Sequence, residues 1–278
     1  MGGCRPAFGS AWDSWIIPPG LPPDLANALN NLKGTLAENE NYSIFYPDYI
    51  IYKGKDGITY AFPSKQSGLP FLQATDDSYL INAAIDAAII YKDDTVINAT
   101  IYLCGGTYNI TDTIVLFDKI TLIGNLYEET ILKWAGGDDN TKSVCYLNNS
   151  HLATDGNYYY EVTAIMKNIK IESSNTLKAA IETDINSTLF IDKMKIDMGG
   201  GAKGLSIIQT KLVLKDSVID YVTTMLEIDS CSRILIDNLI AGENSIGICF
   251  HFIAQGDDLL RIKNSKFQNF TDFIKVSN

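Results

Sequence analysis

Five short segments in the second half of the chain share one apolar–polar pattern and recur at nearly constant spacing. They are Ile165-Met166-Lys167-Asn168, Phe190-Ile191-Asp192-Lys193, Val213-Leu214-Lys215-Asp216, Leu235-Ile236-Asp237-Asn238 and Arg261-Ile262-Lys263-Asn264. With Met166, Ile191, Leu214, Ile236 and Ile262 as equivalents, the offsets are 25, 23, 22 and 26 residues. A period of about 20–50 residues marks a solenoid, in which each unit buries its apolar face only against the next. The repeat carries strands and turns without helical periodicity. That selects a parallel β-helix over a leucine-rich or helical array.

A second column keeps the same register. Glu182, Ser206, Glu227 and His251 follow one another at offsets of 24, 21 and 24, each in a short strand. Turn-forming runs separate the strands: Ser173-Ser174-Asn175, Gly199-Gly200-Gly201 and Gly242-Glu243-Asn244. Alternation along a strand points Leu226 and Ile228 inward and Glu227 and Asp229 outward.

The N-terminal quarter reads differently. Residues 1–23 hold Trp12, Trp15, Ile16 and Ile17 and then Pro18-Pro19-Gly20-Leu21-Pro22-Pro23. Proline at this density excludes helix and ladder and favours an extended segment. Such an arm either folds back on its own domain or docks on a partner, with Trp12, Trp15, Ile16 and Ile17 as the contact residues. Residues 24–75 read as a cap: a helix from Asp24 to about Glu38, then hairpins among the aromatics of 41–70. Residues 76–278 form the β-helix, opened by the helical block that follows Asp76-Asp77-Ser78. The expected fold is therefore all-β: a right-handed parallel β-helix with an N-terminal extended arm and short capping helices.

Bulk properties narrow the function classes. The net charge is −11, which removes the usual electrostatic drive toward nucleic acid or anionic membrane. No run of about 18 apolar residues is present, so no membrane span is expected. The start, Met1-Gly2-Gly3-Cys4-Arg5-Pro6, lacks the charged and apolar regions of a secretory signal. Cys4, Cys104, Cys145, Cys231 and Cys249 have no CxxC spacing and read as small buried hydrophobes. No cofactor or metal is expected. Six Asn-x-Ser/Thr sequons, at Asn41, Asn98, Asn109, Asn148, Asn186 and Asn269, suit a glycosylated surface protein.

One block is more specific. The helix Ile81–Ala88, the run Ile101-Tyr102-Leu103-Cys104-Gly105-Gly106-Thr107-Tyr108-Asn109-Ile110 and the strand Lys119-Ile120-Thr121-Leu122-Ile123-Gly124 together resemble the opening of pectin-lyase-like right-handed β-helix proteins. In that superfamily a short helix caps the barrel, a φxφPxGxYxφ rung follows and a vTLxG strand closes the turn. The chain departs from it at Cys104-Gly105, where the family has proline plus a small residue. The likeness covers residues 76–134 by motif and 160–270 by periodicity. The lead-in from Ile50-Ile51-Tyr52-Lys53 to Tyr60-Ala61 is similar to that of β-helix proteins from archaea and their viruses.

The superfamily includes pectate lyases, polygalacturonases and phage tailspikes, and fold alone does not choose among them. The resemblance implies that a lyase would carry clustered carboxylates for calcium plus an arginine base. A polygalacturonase would carry paired aspartates near a His-Gly and an Arg-Ile-Lys. Asp257-Asp258 and Arg261-Ile262-Lys263 echo the second set, but the arginine lies inside the repeat strand and no His-Gly exists. From the residues themselves, the candidate catalytic or cation-binding set is Glu182, Asp184, Glu227, Asp229 and His251. Glu227 and Asp229, about 6.6–7 Å apart along one face, fall in the range of about 6.5–9.5 Å used by inverting glycosidases. Outward carboxylates are also ordinary on an acidic protein. His151 and the tyrosines Tyr158, Tyr159 and Tyr160 fall in a polar stretch expected to protrude.

Two readings of function stay open, and the first is favoured: no secretory signal precedes the chain, the Trp/Pro-rich arm suits insertion into a larger assembly, and no enzyme-family motif is intact, so the expectation leans away from an enzyme. One is a virion structural or attachment protein, a tail-fibre or spike-like adhesin that binds host surface glycans. It would sit at the virion surface or tail, form a homo-oligomer and use its arm to dock on other virion or surface proteins. The other is a secreted or cell-surface polysaccharide lyase or glycoside hydrolase on the same scaffold. The mid-repeat ending at Phe273-Ile274-Lys275-Val276 favours a partner or further chain over an open edge.

Overall fold

A computed structural model describes residues 47–63, 69–90, 99–149, 161–199, 201–230, 232–245, 247–253 and 259–277. The expected arm with Trp12, Trp15, Ile16 and Ile17, the helix expected at 24–38, Asn41, Asn98, His151, Tyr158–Tyr160 and Asp257-Asp258 lie outside the described residues.

The chain opens with an antiparallel meander of β1 (Tyr49–Lys53), β2 (Thr59–Pro63) and β3 (Leu72–Ala74). Helix α1 (Asp77–Ile90) follows. Asp76 is its N-cap: one carboxylate oxygen accepts the Tyr79 amide at 2.9 Å and the Ser78 hydroxyl at 2.6 Å. Asp77, nearly inaccessible to water, accepts from Lys53, from Thr59 and from the Asn109 amide. A buried charge is tolerable only with such partners, so Asp77 ties the meander, the helix and the first rung together. Leu80, Ile81, Ala84, Ile85 and Ala88 turn inward and close that end of the core.

Beyond the helix the backbone makes seven right-handed turns of three strands each. Face a stacks β4 (Ala99–Leu103), β7 (Ile120–Gly124), β10 (Val162–Lys167), β13 (Ser187–Asp192), the first half of β16 (Thr210–Asp220), the first half of β18 (Arg233–Ala241) and β20 (Leu259–Lys263). Face b stacks β5 (Gly106–Ile110), β8 (Thr130–Trp134), β11 (Lys170–Ser173), β14 (Lys195–Met198), the second halves of β16 and β18, and β21 (Lys266–Phe267). Face c stacks β6 (Ile114–Leu116), β9 (Asp139–Leu147), β12 (Leu177–Thr183), β15 (Lys203–Ile208), β17 (Thr224–Asp229), β19 (Ile248–Phe252) and β22 (Asp272–Val276). Every pairing between turns is parallel. β1 also joins face a, parallel to β4, so the meander continues the solenoid.

The corners explain the repeat. Between faces a and b, Asn168, Lys193, Asp216, Asn238 and Asn264 all take φ between 47 and 55°. These are the fourth residues of the five repeated segments. Left-handed backbone costs an ordinary residue about 1–2 kcal/mol, and Asn and Asp tolerate it best. Two of the corners are braced across turns: Asn238 Nδ2 donates to Asp216 at 2.6 Å and Asn264 Nδ2 to Asp237 at 3.0 Å. The corners from b to c use Gly137, Gly201, Tyr221, Gly242 and Asn269, and those from c to a use Lys119, Asn186, Gln209 and Ser230.

Inside, Met166 pairs with Ile191, Leu214, Ile236 and Ile262 in turn, as the period predicts. All but Ile262 are buried; among the described residues no further turn stacks on the far side of the last one, and there Leu259, Ile274 and Val276 are exposed. Phe250, Phe267 and Phe273 pack edge to face behind it at 5.4–5.7 Å. Ile191→Ala is expected to cost about 2–5 kcal/mol in urea unfolding, and outward-facing Phe190→Ala less than half as much. Equal losses would mean that the register of face a is displaced by one residue.

Candidate functional site

Face c brings the predicted column together. Tyr146, Glu182, Ser206, Glu227, His251 and Lys275 lie in register on six successive turns. Leu226 and Ile228 face the core and Glu227 the outer side, yet Glu227 remains only 8% exposed. Its carboxylate is held by the Lys203 ammonium, accepts the Ser206 hydroxyl at 3.2 Å and meets His251 Nδ1 at 3.3 Å. The other imidazole nitrogen, Nε2, lies 2.9 Å from Ser277 Oγ. Glu182 forms a separate group with Lys178 and with Ser143, whose hydroxyl donates at 3.0 Å.

The remaining candidates serve the corners. Asp184 accepts the Ile185 amide at 2.8 Å and Asp229 accepts the Ser230 hydroxyl at 2.8 Å. Arg261 is exposed on β20, in register with Leu235. Of the sequons, Asn109, Asn186 and Asn269 are exposed and Asn148 is half-buried.

Face b carries a second constellation that residue-by-residue reading passed over. Glu172, Asp197 and Asp220 occupy one outward column on three adjacent rungs. Their offsets, 25 and 23, are those of the first two steps of the inward column, so the period itself held the signal. Neighbouring rungs are about 4.8 Å apart. Asp220 is nearly buried and saturated with donors: the Asn244 and Tyr221 amides at 2.6 and 2.9 Å and Asn244 Nδ2 at 2.7 Å. Glu172 is bracketed by Lys170 at 2.8 Å and Lys133 at 3.8 Å. The hydrogen bond to Glu172 raises the Lys170 pKa against the opposing effect of burial, which keeps this ammonium charged. Asp197 between them has its pKa raised, first by burial and then by the negative charges of Glu172 and Asp220, with Lys170 and Lys195 opposing. Crowding of this kind prepares one carboxyl to hold a proton while its neighbour does not.

Among the described residues no three His, Cys, Asp or Glu side chains converge as a metal site requires. Burial pushes the Cys145 and Cys249 thiols up to about 12, and burial with the charge of Glu128 does the same to Cys104. A thiol nucleophile needs the opposite shift. Treated at pH 8 with iodoacetamide and mapped by peptide, the native protein is expected to keep Cys104, Cys145 and Cys249 unmodified until denaturant is added. Rapid native labelling of any of the three would contradict the packing described.

A family model described as rhamnogalacturonase A/epimerase, pectate lyase-like, matches residues 65–272, three quarters of the chain. No curated protein matches it. The fold is thus a carbohydrate-active β-helix of the pectin-lyase-like superfamily. No helix among the described residues is long and apolar enough to cross a membrane.

Proposed function

Because the chain belongs to the rhamnogalacturonase A/epimerase, pectate lyase-like family, we propose that it cleaves a polysaccharide laid across face b. The observation that carries this reading is the column Glu172–Asp197–Asp220, with the pKa of its middle member raised. Glycosidic hydrolysis needs two carboxyl groups in different protonation states flanking the scissile bond. Asp197 is the general acid that protonates the leaving oxygen. Glu172, one rung away and flanked by ammonium groups, is its ionised partner. Asp220, saturated with donors, is a fixed negative charge that supports the proton on Asp197.

The sign of the pH dependence follows. Asp197 works while protonated, so activity falls as pH rises through its raised pKa. Lys170 opposes that elevation, so Lys170→Met moves the alkaline limb to higher pH. Release of reducing ends from a panel of pectic and bacterial surface polysaccharides tests both points. Asp197→Asn is expected to lower the rate by about 10²–10⁴-fold. An unchanged rate in Asp197→Asn, on a polysaccharide that the wild type cleaves, would overturn the assignment.

The second reading keeps the glycan and drops the cleavage: a virion or cell-surface adhesin, oligomeric and docked through Trp12, Trp15, Ile16 and Ile17. Polysaccharide binding without cleavage, together with an oligomer in light scattering, is the outcome that selects it.

A further inference from the structure

The polar chain on face c is not used by either reading. Its connectivity is Ser277 Oγ to His251 Nε2 at 2.9 Å, then His251 Nδ1 to Glu227 at 3.3 Å, with Glu227 held in turn by Lys203 and Ser206. The order matters chemically. A serine is a weak nucleophile until a base removes its proton, and an imidazole is a directed base only when its other nitrogen is oriented by a third group. Each link here comes from a different turn: Glu227 on β17 and His251 on β19 lie in register, and Ser277 follows β22, two residues beyond the one that pairs with His251. Glu227 is nearly buried and anchored on three sides, His251 is half-buried, and Ser277 reaches the surface. The Ser277 backbone amide is fixed to the Phe252 carbonyl at 2.9 Å, which sets where its side chain projects.

We propose that Ser277, His251 and Glu227 form a serine-hydrolase relay that removes acyl groups from ester-decorated glycans. Ser277 Oγ attacks the ester carbonyl as its proton passes to His251 Nε2. The carbon–oxygen bond to the sugar breaks, and the sugar alkoxide leaves with the proton returned by His251. Water then attacks the acyl-serine as His251 takes its proton; the bond between the acyl carbon and Ser277 Oγ breaks, and His251 returns that proton to Ser277 Oγ. Ester and water become acid and alcohol, with no other reactant required. Glu227 is a positioning residue that fixes the imidazole. Lys275, exposed, in register with His251 and two residues before Ser277 on the same face, supplies the cation beside the developing oxyanion. A small acyl group on a long chain suits a serine that projects from an open sheet face. The glycan as carrier of the ester rests on the reading above; the relay does not.

The test uses the full chain with a fluorophosphonate probe and p-nitrophenyl acetate, neither of which needs a glycan. Labelling is expected at Ser277, mapped by peptide mass, and absent in Ser277→Ala, a surface change in the last described turn. His251→Gln is expected to slow ester hydrolysis by about 10²–10⁴-fold, and Glu227→Gln to shift the pH profile as well as the rate. A wild-type protein that is unlabelled while a control hydrolase reacts, or labelling and hydrolysis unchanged in Ser277→Ala, would overturn the proposal. Neither result depends on whether face b cleaves polysaccharide.

Discussion

Stacking of one turn on the next, through parallel backbone ladders outside and matched apolar side chains inside, is the constraint on which everything else in this protein depends. No turn has a core of its own. Met166, Ile191, Leu214 and Ile236 are buried because each lies above its equivalent. A one-residue slip would send such a column to the outside and bring Phe190 and Val213 in. The corners protect against that slip. A left-handed residue at an equivalent place in successive turns resets the chain before each strand begins. The ends show the same rule in reverse: helix α1 and the Asp77 cluster close the first turn, while the last turn leaves Leu259, Ile274 and Val276 exposed.

Strict stacking also creates the electrostatics of the outer faces. In a parallel ladder, equivalent outward residues sit about one rung apart, so a carboxylate that recurs with the period is forced against its own kind. On face b this crowds Glu172, Asp197 and Asp220, and the ammonium groups of Lys170 and Lys133 relieve only part of it. On face c the same geometry alternates chemistry instead of repeating it. Serine, glutamate and histidine fall on consecutive turns, so the ladder brings a Ser206 hydroxyl that donates to Glu227 and the His251 imidazole against one carboxylate. One scaffold thereby carries two unlike clusters of polar side chains on two of its faces.

Much of this was legible beforehand. The spacing of Met166, Ile191, Leu214, Ile236 and Ile262 specifies the solenoid and its register, and Glu182, Ser206, Glu227 and His251 form the column that their offsets imply. What escaped were partners whose role depends on side-chain reach or on a corner. Lys203 sits three residues before Ser206 yet bends to Glu227 on the next turn. Ser277 lies just beyond the last strand, where alternation gives no guidance. Asp184 and Asp229 follow the outward alternation of Glu182 and Glu227, but local hydrogen bonds at the corner claim them. Glu172, Asp197 and Asp220 keep the period, but nothing in the spacing distinguishes them from other outward carboxylates; burial and charge crowding at Asp197, set by the folded structure, do.

The amino-acid sequence by itself determined the repeat, the inward and outward sides of each strand and the acidic character of the surface. These follow from periodicity, alternation and composition, which are local properties of the chain. Only the tertiary structure decided which carboxylates stand alone, which are neutralised and which crowd. Those outcomes depend on distances of a few ångströms between residues more than twenty positions apart, set by how three corners per turn close around the core.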